Sequence, residues 1–314
     1  MPGTSTAEPL SPDQPAISSG RTFARAIADI REGLRDRELW SHLGWQDIKQ
    51  RYARSVLGPF WITISQGVLA LGLGILYSLL FKLDLPTFLP FIATGFIVWG
   101  FISGCLTEGM ETFIASEGLI KHLPAPLTVY ALRTVWRQTL MFAHNMIVYV
   151  VIVLIFIGTL SHPYALTPDG RCGTNPHAIC HPGLGWYSLS AIPAFLLLAI
   201  NAGWITLFLG VISTRFRDFP QLIGSIIQLL FYLTPIVWPI DQLYAGGNRD
   251  SVTWALQFVY LNPFYHFVQI IRAPLIGQAV NGWSWVVVLG ITVVGWGLAL
   301  FVLRNYRSRV SYWV

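Results

Sequence analysis

Six long stretches of this 314-residue chain contain no aspartate, glutamate, lysine or arginine, and this feature limits the possible folds most strongly. They cover residues 59–81, 86–107, 138–161, 182–214, 219–240 and 273–303. About 20 helical residues cross the roughly 30 Å hydrocarbon core of a bilayer, where backbone amides find no water. Each stretch is therefore predicted to be a transmembrane helix. Only 11% of the residues are charged, against about 25% in soluble domains, and the net charge of +5 does not favour nucleic-acid binding.

A seventh uncharged stretch, residues 251–271, is interrupted by Asn262-Pro263. Proline disfavours a continuous helix, so this stretch is predicted to form two short helices that enter and leave the membrane on one side. With six crossings and a cytoplasmic N-terminus, sixteen of the 20 basic residues are cytoplasmic. The exceptions are Lys82, Arg171, Arg249 and Arg272. This distribution agrees with the positive-inside rule and supports six crossings rather than seven.

The remaining segments flank this transmembrane domain, which is assigned to residues 59–304. Residues 1–20 are rich in Pro, Ser, Thr and Gly and are predicted to be a disordered cytoplasmic tail, and 305–314 are predicted to be a cytoplasmic C-terminal tail. Residues 21–58 form a cytoplasmic segment that includes a predicted amphipathic helix at 39–56. Its apolar stripe is Trp45, Ile48, Tyr52 and Val56, and its polar face is Asp47, Gln50, Arg51 and Arg54. Such a helix lies in the membrane interface, as an anchor or as a contact for a partner.

The loop between the second and third crossings, residues 108–137, contains a predicted short helix. Ser116 is placed to cap it, and Pro124 ends it. Its apolar residues Leu119, Ile120 and Leu123 either fold back on the bundle or dock into another protein. The residues alone favour folding back.

Charged residues at helical spacing flank this short helix. Glu108 and Glu111 lie at i, i+3, and Arg133 and Arg137 lie at i, i+4. Mutual ion pairs are the default interpretation, and a proton relay is the alternative.

The predicted external loop, residues 162–185, carries Cys172 and Cys180. Outside the cytoplasm such a pair is expected to form a disulfide. A zinc site is the alternative, because three histidines lie nearby, His162, His177 and His181.

Several kinds of catalytic chemistry have no sequence signature here. The chain contains no GxxxxGK[ST], HExxH or GxSxG motif, and its predicted crossings contain no charge for ion coupling. A transporter built on this chain therefore needs a separate source of energy. Aromatic side chains within the crossings are the remaining chemical feature. Their faces suit sugar rings, although packing is the default role for any one of them.

Particular strings resemble the ABC-2 type permeases that export polysaccharides such as O-antigens, capsules and teichoic acids. The resemblance covers about residues 35–310 and rests on five strings together: RYARSVLGPFW at 51–61, Leu119-Ile120-Lys121 followed by Pro124, FRDFP at 216–220, PIVWP at 235–239 and NPFYH at 262–266.

The resemblance implies an all-α integral membrane fold with six transmembrane helices. It adds an N-terminal amphipathic interface helix, a cytoplasmic coupling helix, and external re-entrant gate helices between spans five and six. It further implies a homodimer with a pore at its interface, in the bacterial plasma membrane, with both termini cytoplasmic. Two copies of a separate ATPase would bind ATP and Mg, and this chain would hold no cofactor and catalyse no reaction. The substrate would be a polyprenyl-linked polysaccharide, and the chain would also contact membrane lipids.

The resemblance also assigns roles to individual residues. Coupling to the ATPase is expected from Glu117, Leu119, Ile120, Lys121, His122 and Leu123. A lipid headgroup is expected to enter at Arg51, Tyr52 and Arg54. The channel aromatics are expected to be Phe60, Tyr77, Phe96, Trp99, Phe231 and Tyr232.

Two departures and two alternatives accompany this interpretation. The family often has a second basic residue where Ala53 stands, and the loop with Cys172 and Cys180 is longer than usual. Together with the Pro- and Ser-rich tail, the chain resembles most the exporters of lipid-linked galactan in actinobacterial cell walls. The first alternative is an ABC-2 exporter of drugs or small lipids. The second is a membrane enzyme that processes glycans with Glu108 and Glu111.

Overall fold

The computed structural model describes residues 21–53, 55–58, 60–122, 125–173, 178–241, 249–279 and 281–314. Within these residues the chain is almost entirely helical. In chain order the helices are α1 Phe23–Arg35, α2 Arg37–Arg51, α3 Phe60–Phe81, α4 Leu85–Glu111, α5 Glu117–His122, α6 Leu127–Leu160, α7 Ala191–Arg215, α8 Phe219–Leu233, α9 Arg249–Leu261, α10 Pro263–Leu275 and α11 Gly282–Trp313. Two short antiparallel strands, β1 Tyr164–Ala165 and β2 Cys180–His181, and a 3-10 helix at Trp186–Ser190 lie between α6 and α7.

Five helices of the described chain are long and apolar enough to cross a membrane: α3, α4, α6, α7 with the preceding 3-10 turn, and α11. The predicted crossing at 219–240 differs, because α8 ends at Leu233 after 15 residues. At 1.5 Å per residue α8 spans only about 22 Å. The chain turns at Thr234, and the indole of Trp238 donates to the carbonyl of Tyr232 at 3.2 Å. The sixth crossing therefore stays a prediction.

The predicted crossing at 273–303 begins too early. Its first residues belong to α10, which ends at Leu275, and α11 begins only at Gly282. Gly277 makes the turn between them with a φ of 75°, where an added Cβ would lie 2.3 Å from the backbone of Gly183. An uncharged run does not reveal such a turn, because two apolar helices and a glycine turn are as free of charge as one long helix. The predicted break at Asn262-Pro263 is confirmed, since α9 and α10 meet there.

The chain end also differs from the predicted tail at 305–314. Helix α11 continues to Trp313, Val310 is buried, and Arg217 donates to the carbonyl of Trp313 at 3.1 Å. The last residues are therefore helical and packed on the bundle, and their cytoplasmic location stays a prediction.

Helix α4 is the centre of the core. Every residue from 87 to 99 is buried, as expected for a helix that is apolar on all sides. Helices α3, α6, α7, α8 and α10 pack around it. In contrast, α3 and the second half of α6 turn large side chains such as Leu79, Leu80 and Leu154 outward. Exposed apolar faces of this extent are rare on soluble proteins, so we expect these faces to contact lipid.

The N-terminal segment forms two helices, α1 and α2, where one amphipathic helix was predicted at 39–56. The predicted apolar stripe is wrong in two respects. Helix α2 ends at Arg51, so Tyr52 and Val56 lie beyond it, and Trp45 is exposed. The predicted polar face instead turns Asp47 and Arg51 toward the bundle. Ion-pair partners on α4 and α6 orient this helix, and a pattern confined to residues 39–56 does not contain them.

Candidate functional site

An ion network joins α2 to α4 and α6 on the predicted cytoplasmic side. Asp47 accepts from Nε of Arg133 at 2.8 Å and also pairs with Arg137. Arg137 donates to Glu108 at 2.7 Å, and Arg51 donates to the other oxygen of Glu108 at 3.1 Å. Two carboxylates thus neutralise two of three guanidinium groups and leave one positive charge.

The expected mutual ion pairs between these glutamates and arginines form only in part, because one arginine pairs with a residue outside the predicted set. Glu108 pairs with Arg137 as expected, but Arg133 pairs with Asp47. Among the residues that the structure describes, Glu111 has no ion pair, and it lines a cavity of about 240 Å³ beside the network. Asp47, which was predicted only as part of a polar face, is an ion-pair partner of both arginines. A signal was available, because Asp47 and Arg51 repeat at i, i+4 like Arg133 and Arg137 on α6.

The electrostatics of this network favour a permanent charged state. Burial raises the pKa of Asp47, but the hydrogen bonds and charges of Arg133 and Arg137 outweigh burial and hold this pKa below its ordinary value. Glu108 accepts from two guanidinium groups at once. Carboxylates held in this way accept hydrogen bonds well but are poor proton donors, so the network does not favour a general acid for glycan processing.

Two of the three residues predicted to receive a lipid headgroup lie at the edge of this network. The Arg51 side chain is 44% exposed although it is bonded to Glu108. Tyr52 follows it and is half-buried. Arg54 lies outside the described residues. The structure therefore brings Arg51 and Tyr52 together at the surface.

The short helix α5 is folded back and exposed at the same time. Leu119 and Ile120 pack against a buried cluster that includes Phe113, Tyr130 and Leu207. The opposite face exposes Glu117, Lys121 and His122, with Lys121 donating to Glu117 at 2.5 Å. Leu123 lies outside the part of the chain that the structure describes. Two apolar residues thus fix the helix to the bundle, and its polar residues remain open to a partner.

A buried carboxylate that the sequence analysis missed fixes the start of α6, directly after α5. Asp29 on α1 accepts from the backbone N–H groups of Leu127 at 3.2 Å and Thr128 at 3.0 Å. It also accepts from the Thr128 hydroxyl at 2.7 Å and from Nε of Arg307 on α11 at 2.6 Å. The residue before α6 is Pro126, which has no capping side chain. The first N–H groups of the helix therefore need an acceptor from elsewhere in the fold, and this need was the available signal.

The predicted channel aromatics divide into two groups. In the first group, the rings of Phe96 and Trp99 each lie with their centroid 5.9 Å from that of Phe231. The ring of Phe264 on α10 lies 5.7 Å from that of Trp99. Tyr232 extends the cluster, 5.2 Å from Phe231, and is 61% exposed. We call these five residues the aromatic cluster.

The two predicted aromatics on α3 lie elsewhere. Phe60 contacts the ring of His144 at 6.3 Å, and Tyr77 stacks on Phe81 at 5.6 Å. The structure therefore brings four of the six predicted residues together.

The loop between α6 and α7 is held by the predicted disulfide. Cys172 and Cys180 are bonded, with their Cα atoms 5.3 Å apart. His181 follows Cys180 on β2 and contacts Asp241 at 3.1 Å. His177 lies outside the described residues, and among those described no three His, Cys, Asp or Glu side chains converge on a metal position.

Comparison with known proteins places this geometry in context. Residues 38–276 match the family described as "ABC-2 type transporter". The chain is 24% identical over 269 residues to the "O-antigen export system permease protein RfbA" of Klebsiella pneumoniae, covering 83% of this chain and 90% of that protein. A protein of the same name from Myxococcus xanthus is 22% identical over 223 residues, covering 70% of this chain and 76% of that protein.

Proposed function

Because this chain belongs to the ABC-2 type transporter family, we propose that it is the membrane subunit of an exporter that moves a lipid-linked polysaccharide across the bacterial plasma membrane. A separate ATPase, in two copies, drives the movement, and two copies of this chain enclose the pore. The galactan of actinobacterial cell walls is the polymer that we propose within this class.

One observation carries the proposal: the similarity to the O-antigen export permease of Klebsiella pneumoniae extends over nearly the whole of that protein. The matched region covers 90% of the Klebsiella protein. The family match at residues 38–276 includes nearly all of α2, the loop that holds α5 and the helices around the aromatic cluster. A shared substrate class is the simplest reason for similarity over the whole length, because a shared membrane fold alone needs only apolar helices.

The polar face of α5 is the proposed contact for the ATPase. Helix α5 follows α4 and precedes α6 in the chain, and its polar face is exposed. The sequence contains no nucleotide-binding motif of its own, so a partner must bind ATP. Gly118 lies on this helix, and an added Cβ there meets nothing within 4 Å. Gly118→Trp should therefore leave the fold intact and block docking by its bulk. Gly282→Trp is the matched control, because Gly282 is equally open and begins α11 at the opposite end of the bundle.

The measurement is co-purification of the tagged chain with an ATPase from its own cells, together with ATP hydrolysis in proteoliposomes. We expect wild type and Gly282→Trp to retain the ATPase and Gly118→Trp to lose it. Retention by all three would show that α5 is not the contact. Failure of the wild type to recruit any ATPase would refute the proposed function itself.

Arg51 is the proposed first contact for the diphosphate of the lipid carrier. Guanidinium groups bind phosphate through paired hydrogen bonds. The Arg51 side chain is partly exposed, on the predicted cytoplasmic side. Arg51→Gln removes this charge, and Glu108 keeps Arg137 as its partner. Lys49→Gln is the control, because Lys49 is exposed two residues earlier and has no ion pair with a described residue. We expect export to fall in Arg51→Gln only.

The aromatic cluster is the proposed path for the glycan. Its buried members contact one another, and Tyr232 leads to the surface of α8, whose Leu222 and Leu229 are also exposed. In the proposed homodimer this surface lines or adjoins the pore.

Depletion of the protein in cells tests the substrate class. Lipid-linked glycan should accumulate on the cytoplasmic side, and complementation with the wild-type chain should clear it. Unchanged glycan together with new sensitivity to drugs would instead indicate an exporter of small molecules.

A further inference from the structure

A polar cavity of about 200 Å³ lies beside the disulfide loop, and we call it the loop cavity. The segment after α8, the ends of α9 and α10, and strand β2 enclose it. The residues that matter to its chemistry are Arg272, Gln269, Gln278, His181, Asp241 and Ala279. Its volume equals that of about seven water molecules at their liquid density, which suits one small ring compound with its polar groups.

Arg272 is the most buried charged group of this cavity, with 2% of its surface exposed. Its Nη1 donates to the carbonyl of Pro235 at 2.7 Å, and its Nη2 donates to Gln269 at 3.1 Å. The guanidinium carbon lies 4.0 Å from the ring centroid of Phe91. Its Nε is buried and has no hydrogen-bond partner among the described residues. A buried donor in this state is costly. Because Nε has almost no exposed surface, the guanidinium acts on the cavity through its positive charge.

Asp241 supplies the opposite chemistry in the same cavity. Its carboxylate is oriented by His181 at 3.1 Å, and the amide of Gln278 contacts the same imidazole at 3.3 Å. The cavity therefore combines a guanidinium donor, an amide and a carboxylate acceptor. Because a positive and a negative group are present together, the cavity favours neither an anion nor a cation.

Aromatic rings form the remaining walls. Tyr260 and Tyr265 line the cavity with centroids 5.6 Å apart, and Phe91 lies under the guanidinium. Phe264, the neighbour of Tyr265 on α10, belongs to the aromatic cluster through Trp99. Helix α10 thus carries one residue of the loop cavity directly beside one residue of the aromatic cluster.

We propose that the loop cavity binds one neutral sugar residue of the glycan as it leaves the aromatic cluster, an inference that rests on the proposed function. A sugar ring presents hydroxyls that both donate and accept, and it presents C–H faces to aromatic walls. The amide of Gln278 would donate to a ring hydroxyl oxygen, and Asp241 would accept from a neighbouring hydroxyl.

The test uses the full chain in nanodiscs free of glycosidic detergent. Saturation-transfer NMR with D-galactose, D-mannose and D-glucose measures binding of each free sugar. Substitution of Arg272 itself endangers folding, so Ala279→Trp is used to fill the cavity. Gln278→Leu removes the polar amide and keeps a side chain of similar size. Gly282→Trp is the matched control, three residues from Ala279 and outside the cavity lining.

We expect saturation transfer to at least one sugar in wild type and Gly282→Trp, and none in Ala279→Trp. Gln278→Leu should bind about tenfold more weakly, the equivalent of one lost hydrogen bond. Absence of transfer in wild type, equal transfer in Ala279→Trp, or displacement of the sugar by inorganic phosphate would overturn the inference. If wild type still exports glycan in those cases, the proposed function stands and only the sugar site falls.

Discussion

Replacement of Asp29 by alanine is expected to lower the free energy of unfolding by about 3 kcal/mol. The carboxylate is fully buried and accepts hydrogen bonds from α6 and from Arg307 on α11. Alanine leaves the backbone N–H groups of Leu127 and Thr128 without an acceptor, and each buried donor in that state costs about 1–3 kcal/mol. The lost pair with Arg307 adds less than about 1 kcal/mol, because that side chain is 38% exposed and water can solvate it.

Asp29→Asn separates charge from hydrogen bonding. The amide keeps one acceptor oxygen for Thr128 but turns an NH2 group toward Leu127 or Arg307. We therefore expect a loss of about 1–2 kcal/mol, smaller than for alanine. Glu32→Ala is the control on the same helix, because Glu32 is exposed and forms no ion pair with a described residue. It should change stability by less than about 0.5 kcal/mol.

The assay is SDS-induced unfolding from mild micelles, followed by tryptophan fluorescence. The modification rate of Cys105, a buried free thiol, provides a second readout of the same transition. If Asp29→Ala unfolds at the same SDS fraction as Glu32→Ala, the carboxylate does not hold the start of α6.

Three further predictions use the same unfolding measurement. The pKa of Asp47 is lowered in the folded protein, so its stabilisation is present at neutral pH and is lost as the pH falls below about 4. The stability difference between wild type and Asp47→Asn should therefore shrink in acid, and a constant difference would contradict this assignment. Reduction of Cys172–Cys180, eight positions apart, should cost about 2–3 kcal/mol, and an unchanged midpoint in dithiothreitol would argue against it. Gly295→Ala should cost about 1–3 kcal/mol, because its Cβ would lie 2.1 Å from a tryptophan ring on α7. Gly297→Ala, with open space around it, should not destabilise the protein.

Much of the fold follows from local sequence. Uncharged runs predicted the five long helices, because a bilayer requires about 20 apolar residues with internal hydrogen bonds. Proline at position 263 predicted the break between α9 and α10. Local signals failed where an apolar run contains a turn, as at Gly277, because hydrophobicity is the same on both sides of the turn.

The site was predictable in part. Ion pairs among Glu108, Glu111, Arg133 and Arg137 were expected, and Glu108–Arg137 is one of them. Four of the six aromatics lie together, and their place in a channel stays a prediction. Asp47 was assigned to the wrong face, because its partners are 86 and 90 residues away in the chain. A helical wheel contains no information about another helix.

The sequence by itself therefore determined residence in the membrane, the family and the absence of a nucleotide-binding motif, since each depends on residue types and on neighbours in the chain. Only the tertiary structure decided where the buried charges go. Asp29 meets Arg307 across 278 residues, and Arg272 lies fully buried against Phe91. A charge in an apolar interior needs a partner of opposite charge or a set of hydrogen bonds, and the fold brings those partners from distant parts of the chain.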